Sequence, residues 1–183
     1  MYDIGTYLVK DCHGVCRIDG IQSMAVPHSS RSELYYRLTP LEEKGTTLYV
    51  PAEGPQDDLR AVISSAQAWQ LIRHLPQIQA VSCSDDKERS LMYKQALKGR
   101  DPELLASMVK DLYVRCQQRR AQGKKVSSSD ERMFKLSEDR LFSELAFALE
   151  RSKEDIPQLI AEVLKENSAR PEPWQNKLPP AGQ

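Results

Sequence analysis

The period of the apolar residues changes near residue 64, and this change most constrains the fold. Before it, short runs such as Val15–Ile21 and Leu34–Thr39 alternate apolar and polar side chains between turn signals, which indicates strands. After it, apolar residues recur at three- and four-residue spacing, which is typical of amphipathic helices. Because the strands all precede the helices, the sequence predicts an α+β fold with the sheet first and an all-α part second.

The N-terminal part is predicted to form a small, strongly bent antiparallel sheet or barrel. Proline cannot donate to a sheet ladder, so Pro51 is expected to end the fourth strand. The predicted strands are Ile4–Val9, Val15–Ile21, Leu34–Thr39, Thr46–Val50 and Leu59–Ile63.

Five helices are predicted from start and stop signals. The third has the clearest start, because a capping carboxylate, Asp101, is followed by a proline at the first helical position. The fourth is expected to start with a capping box formed by Ser128 and Glu131. The predicted inward positions include Leu91 on the second helix and Leu136 on the fourth. The predicted helices run from Ser64 or Ser65 to Leu75, from Asp85 or Asp86 to about Lys98, from Asp101 to about Gln122, onward from Ser127–Ser129, and onward from a start between Ser152 and Asp155.

These signals divide the chain into four predicted segments. They are a sheet domain over residues 1–63, a helix and linker over 64–84, a helical domain over 85–166 and a tail over 167–183. The tail contains four prolines and little periodicity, so we expect it to be disordered. Trp174 within it is interpreted either as a docking element or as an idle side chain.

Positive charge is concentrated in one stretch of a chain that is neutral overall. Residues 87–125 hold 11 Lys and Arg against four Asp and Glu, whereas the whole chain holds 26 of each sign. A local basic field of this kind favours contact with a polyanion at one face. Two other interpretations stay open: an ordinary solvated helix face, and cations that complement helix C-termini.

The sequence favours binding over catalysis. The three histidines are not paired with a nucleophile, and there is no glycine-rich phosphate loop. Cys12, His13 and Cys16 lie close together, but a zinc site needs a second ligand pair that is missing here. We therefore predict no enzyme activity, no metal and no cofactor, and no small-molecule substrate. No apolar run is long enough to span a membrane and no signal peptide is evident, so a cytoplasmic location is the expectation.

Four segments together resemble the CarD/CdnL family of bacterial transcription regulators over about residues 1–166. The opening IGTYLVKDCHGVCRIDGI resembles the family's first strand pair, and YYRL followed by TTLYVPAE resembles its later strand pair. YKQALKGRDPELLASMVKDLYVR and SSSDERMFKLSEDRLFSELAFAL are similar to the family's C-terminal helices. The match lies in their order and spacing, since no single motif is decisive.

The resemblance implies two partners. A Tudor-like N-terminal domain would dock on the β subunit of RNA polymerase through a sheet edge, matched here by Tyr49, Val50 and Pro51, with Arg37 on a neighbouring strand. The family often carries an arginine where this chain has Tyr49. The helical domain would contact promoter DNA at the upstream edge of the bubble, without sequence specificity, and stabilise the open complex.

The expected DNA contacts combine the resemblance with the basic stretch. The position of the family's tryptophan wedge is occupied by Arg89, which can reach a phosphate but cannot unstack bases as an indole can. This replacement keeps an alternative open, in which the helical part contacts another protein and the chain is a polymerase-binding adaptor. The predicted DNA-binding residues are Arg89, Lys94, Lys98, Arg115, Arg119, Lys124 and Lys125.

Overall fold

The computed structural model describes residues 1–25, 31–43, 45–55, 58–83 and 85–167. The chain forms two compact units, one of Met1–Val62 with Leu97–Arg100 and a second that starts with Ile63–Ala96 and continues from Asp101. The predicted α+β layout, with the sheet before the helices, is confirmed. The finer division into a linker over 64–84 and a domain over 85–166 stays a prediction. The predicted tail beyond Asn167, with Trp174, lies outside the described residues.

The first unit contains a five-stranded sheet in which all neighbouring strands are antiparallel. Its order is β4-β3-β2-β1-β5, so β4 and β5 lie at the edges. The strands are β1 (Tyr7–Lys10), β2 (Gly14–Ala25), β3 (Ser32–Pro40), β4 (Leu48–Pro51) and β5 (Leu59–Ala61).

All five strands differ from their predicted bounds, most clearly at the start of the first and at the end of the second. The first strand starts at Tyr7, because the Thr6 N–H donates to the Asp3 carbonyl at 3.1 Å in a turn that leaves Ile4 63% exposed. The second strand continues to Ala25, four residues beyond the predicted end at Ile21. Its pairing with β3 shifts register between Ile18 and Gly20, which marks a bulge at Asp19 that bends the sheet.

The alternating side chains of the sheet build one apolar core. Cys16 and Ile18 on β2 pack with Tyr36 and Leu38 on β3, and all four are fully buried. The Tyr36 hydroxyl accepts a hydrogen bond from the Tyr2 backbone N–H at 2.5 Å, so its polar end is satisfied inside the core. The remaining core residues are Leu8, Val50, Ala52 and Leu59.

The second unit is helical, and its first and third helices start at predicted capping residues. Ser64 and Gln67 form a reciprocal capping box, and the Asp101 carboxylate accepts from the Glu103 N–H at 2.8 Å. The helices are α1 (Ser65–His74), α2 (Asp86–Leu97), α3 (Pro102–Ala121), α4 (Ser128–Leu149) and α5 (Ile156–Asn167), with a 3-10 turn at Lys153–Asp155.

The core of this unit forms where α3 packs on α4 and where α1 and α4 pack on α5. On α3, Met108, Val109 and Leu112 are not exposed at all. Buried residues of the other helices include Leu71, Ile72, Leu141, Leu145, Ile156, Ile160 and Leu164.

Three predictions in the helical part are wrong. Leu91 is 58% exposed, because α2 buries Tyr93 and Ala96 and Leu91 lies about 200° around the helix from Tyr93. Leu136 is 39% exposed, since the neighbouring Ser137 takes the buried position. The expected capping box of α4 is also absent within the described residues, where Ser127 is the N-cap and makes no side-chain capping bond.

Candidate functional site

The edge strand β4 carries the residues predicted to contact the polymerase. Tyr49 is 45% exposed and Pro51 is exposed, whereas Val50 is only 5% exposed and belongs to the sheet core. Val50 therefore supports the edge from inside, and the outward surface is formed by its two neighbours. An exposed edge strand is a ready surface for another chain, because part of its backbone polar groups lacks a partner strand.

Arg37 lies next to this edge, as the sequence predicted. It pairs directly with Tyr49 across β3 and β4, so the two side chains share one face of the sheet. The Arg37 guanidinium donates to the Asp19 carbonyl at 3.4 Å and lies over Gly20, where a Cβ would be 3.6 Å from Nη2. A tyrosine and an arginine thus stand side by side at the edge of the sheet.

The same region of the sheet contains a carboxylate held in its charged form. Asp19 accepts hydrogen bonds from the Thr39 hydroxyl and from Arg17 Nε, the latter at 2.7 Å. These two bonds lower the pKa of Asp19, the Thr39 hydroxyl contributing most. The region near Arg37 is therefore a mixed polar surface and not a purely basic one.

The predicted DNA-binding arginines Arg89 and Arg115 meet in the second unit at a cavity of about 530 Å³. This cavity, called the helical groove below, is formed by α2, the C-terminal half of α3 and the start of α4. Its charged lining consists of four cations and two carboxylates, namely Arg89, Lys94, Arg115, Arg119, Asp86 and Asp130. The groove is therefore less basic than the sequence count suggests.

Arg89 is paired with two carboxylates. Its Nη1 lies 2.5 Å from Asp86 Oδ1 and its Nε lies 3.6 Å from Asp111 Oδ2. The Arg89 side chain is 18% exposed. The guanidinium of Arg89 is therefore directed at two of the protein's own aspartates.

Asp111 is the buried centre of this arrangement. It is 8% exposed and accepts a hydrogen bond from the hydroxyl of Tyr93, itself 7% exposed, at 2.5 Å. Burial, together with this bond to Asp111, raises the pKa of Tyr93 well above its ordinary value. The tyrosine therefore stays protonated and ties α2 to α3.

Arg115 is paired in the same way from the other side of the groove. Its Nη2 lies 3.6 Å from Asp130 Oδ2 at the start of α4, and its Nη1 lies 4.0 Å from Asp86 Oδ1. The Arg115 side chain is 28% exposed. Asp86 thus lies between the two arginines, and the three helices are joined by alternating charges.

The end of α3 has a different character. The Gly123 N–H donates to the Arg120 carbonyl at 3.0 Å and the Lys124 N–H donates to the Arg119 carbonyl at 2.9 Å, which is a Schellman cap. Gly123 has a φ of +68°, as this cap requires. We call the four exposed cations around this cap the basic turn: Arg119, Arg120, Lys124 and Lys125.

The basic turn is ordered by one of its own side chains. Arg119 Nη1 donates to the Lys125 carbonyl at 3.3 Å, which fixes the chain that leaves the helix. Lys124 and Lys125 are exposed and follow directly from the cap. The arrangement can present several exposed cations to one phosphate backbone.

The other lysines of the basic stretch are placed separately. Lys94 is exposed and lines the helical groove, whereas Lys98 is exposed just after α2 and belongs to the first unit. Lys110 donates to the carbonyls of Pro76 at 3.0 Å and Ile78 at 2.7 Å, so it binds the segment that follows α1. Lys110 is one of the 11 cations of the basic stretch, but its ammonium group binds backbone carbonyls of the protein itself.

Sequence reasoning missed the three aspartates that pair with the arginines. One signal was present: Asp111 lies three residues after Met108 and seven after Leu104, in line with apolar positions of α3. A carboxylate at such a position requires a buried partner. No comparable signal marks Asp86 or Asp130, since acidic residues are common in the first turn of a helix.

Among the described residues, no three His, Cys, Asp or Glu side chains come together so as to hold a metal ion. His13 lies instead 3.0 Å from Glu43 Oε2. Among the same residues, no helix combines the length and the apolar content that a membrane crossing needs.

Comparison with known families follows the two structural units. The model of the CarD-like/TRCF RID domain matches residues 2–63, and the model of the CarD C-terminal domain matches residues 70–161. No curated protein matches the chain. The first match covers the sheet with its exposed β4 edge, and the second covers most of the helical unit with the groove and the basic turn. The chain therefore belongs to the CarD/CdnL family, whose members are transcription factors that interact with RNA polymerase.

Proposed function

We propose that this protein regulates transcription by docking on the RNA polymerase β subunit and by contacting promoter DNA near the upstream edge of the bubble, where it stabilises the open complex. The sheet unit supplies the polymerase contact and the helical unit supplies the DNA contact. The observation that carries the DNA contact is the basic turn, whose four cations are exposed at one helix end.

The polymerase contact is supported by the edge position of β4. Tyr49 and Pro51 are exposed there, and Arg37 lies directly across from Tyr49. An aromatic ring and an arginine are the side chains that most often dominate the energy of a protein interface. We assign the contact to Arg37, Tyr49 and Pro51, with Val50 holding the strand in place from the core.

The polymerase contact is tested with the full chain and the N-terminal lobe region of the β subunit. Arg37→Glu with Tyr49→Ser should weaken binding by at least about tenfold, because both side chains leave the interface. Gln22→Ala is the matched control, since Gln22 is exposed on β2 but away from the edge. Equal affinity of the double variant and the control would remove this assignment.

The DNA contact is supported by charge that is free to meet phosphates. The predicted contacts fall into two groups. Two of them, Arg89 and Arg115, are ion-paired. The others are exposed, namely Arg119, Lys124 and Lys125 in the basic turn together with Lys94 and Lys98. Binding through phosphate contacts must fall steeply as salt rises, with a slope of about 0.9 for each phosphate neutralised. A flat salt dependence with duplex DNA would contradict the assignment.

One observation favours the second candidate, a polymerase-binding adaptor that contacts another protein through its helical unit. Asp86 and Asp130 neutralise much of the groove, and this is compatible with a polar protein surface. The lifetime of open complexes decides between the candidates, since an adaptor without DNA contact leaves it unchanged. Charge reversal at the basic turn should shorten that lifetime only if the first candidate is correct.

A further inference from the structure

We propose that Asp86 and Asp130 set the strength of DNA binding at the helical groove, because they hold Arg89 and Arg115 as internal ion pairs for which DNA phosphates must compete. This inference rests on the proposed DNA contact and adds two residues to it. The aspartates act as negative determinants: they weaken association by holding two arginines that phosphates would otherwise contact.

The chemistry of the competition follows from the geometry. An aspartate offers a guanidinium a pair of charged oxygens, much as a phosphate does. Arg115 reaches two such groups, Asp130 at 3.6 Å and Asp86 at 4.0 Å, while Arg89 reaches Asp86 at 2.5 Å. A phosphate that enters the groove therefore meets arginines that already have anionic partners.

The two aspartates differ in how easily they are displaced. Asp86 is 90% exposed, and pairs that include such an exposed carboxylate are weak and screened by salt. Asp130 is 18% exposed and lies in the first turn of α4, where the helix dipole also favours it. Asp86 is therefore the outer, releasable partner, and Asp130 is the inner, persistent one.

The ion-paired state also leaves donors unsatisfied. Within the described residues, Arg89 Nε and Arg115 Nε are both buried without a hydrogen-bond acceptor. Unsatisfied buried donors favour an alternative arrangement in which an acceptor reaches them. Asp111 is different in kind, because its bond to Tyr93 makes it part of the core, and we leave it unchanged in the test.

The experiment measures binding of the full-length protein to duplex DNA by fluorescence anisotropy at several salt concentrations. Asp86→Asn should tighten binding roughly threefold, and the double variant Asp86→Asn with Asp130→Asn should tighten it roughly tenfold. If the double variant binds two more phosphates, the slope of log affinity against log salt concentration should become steeper by up to about 1.8. Asp86→Asn should fold normally, since Asp85 caps the helix by accepting from the Lys87 and Glu88 N–H groups at 2.8 Å. Its folding is checked by circular dichroism.

Glu131→Gln is the matched control. Glu131 is exposed and adjacent to Asp130, and its loss changes the net charge by the same amount, but it does not line the groove. A gain as large in Glu131→Gln as in Asp86→Asn would overturn the inference, because any lost carboxylate would then suffice. In the Asp86→Asn background, Arg89→Gln should abolish the gain if the pair is the cause.

The outcomes separate this inference from the function on which it rests. If the parent protein binds DNA with a steep salt slope, and neither aspartate variant changes that binding, the inference alone fails. If the parent protein and all variants fail to bind duplex DNA, both the DNA contact and the inference are overturned. Tighter binding in the aspartate variants and not in Glu131→Gln supports both.

Discussion

Two neighbouring parts of α3 carry similar charge in the sequence and very different charge in the structure. Arg115 faces the helical groove, is 28% exposed and lies between Asp86 and Asp130. Arg119, one helical turn later, is exposed and donates to the Lys125 carbonyl in the basic turn. The difference teaches that the number of cations in a stretch of sequence does not show how many of them a partner can reach. Acidic residues on other helices decide how much of it remains available to a partner.

The largest effect is expected at Asp111, the buried partner of Tyr93 and Arg89. Asp111→Ala removes the acceptor of the Tyr93 hydroxyl and one partner of Arg89, and should lower the free energy of unfolding by about 3 kcal/mol. Urea unfolding followed by circular dichroism measures this change. Such a loss would show that the charged residues around Asp111 stabilise the fold.

The matched control is another ion-paired aspartate at a more exposed position. Asp139 lies 2.8 Å from Lys153 Nζ and is 43% exposed, so Asp139→Ala should lower the free energy of unfolding by no more than about 1 kcal/mol. If both variants lost the same stability, the buried Tyr93–Asp111 pair would have no special role in the fold.

The next effect concerns DNA binding at the basic turn. Lys124→Glu with Lys125→Glu should weaken association with duplex DNA at least tenfold, because about two phosphate contacts are lost. The slope of log affinity against log salt concentration should become shallower by about 1.8. Stability should hardly change, because both side chains are exposed. Arg151→Glu with Lys165→Glu is the control, since it makes the same change in net charge at two exposed sites outside the basic turn.

The double variant also tests the comparison between the two parts of α3. If its DNA affinity equals that of the control, only the overall charge matters and the basic turn is not a contact surface. Arg115→Glu is a poorer probe, because a third carboxylate would join Asp86 and Asp130 and would disturb the helix packing itself.

A smaller effect is expected from the cap that shapes the basic turn. Gly123 has a φ of +68°, a conformation that costs other residues about 1 kcal/mol, so Gly123→Ala should destabilise the protein by about that amount. Gln122→Ala is the control, because Gln122 has a φ of −84° that any residue adopts. Thermal unfolding distinguishes the two. Equal melting temperatures would mean that the Schellman cap contributes nothing to stability.

Much of the fold could be predicted from local signals, since strand alternation and helix caps act within a few residues. Leu91 could not, because which face of α2 is buried depends on how α2 packs and not on its own weak amphipathic pattern. The candidate site was harder for the same reason. Asp86, Asp111 and Asp130 belong to three helices, and their pairing with Arg89 and Arg115 exists only after those helices pack. Lys110 likewise binds carbonyls more than 30 residues away.

The smallest effect uses a thiol as a probe of the packed face of α3. Cys116 is 6% exposed, and burial, together with the nearby Asp130 charge, raises the pKa of its thiol. Because the reactive form is the thiolate, Cys116 should react with iodoacetamide at neutral pH roughly tenfold more slowly than exposed Cys12. Mass spectrometry of the native protein over time measures both rates, and the difference should vanish in urea.

Asp130→Asn then separates the two causes of the raised pKa. Loss of the Asp130 charge should lower the pKa of the Cys116 thiol and increase its rate by about twofold, a minor change because burial is the larger cause. Cys12 should keep its rate and serves as the internal reference. A Cys116 rate that rises to that of Cys12 would mean that Asp130 holds the start of α4 against α3. The aspartate would then be structural, like Asp111, and not simply a competitor for the arginine.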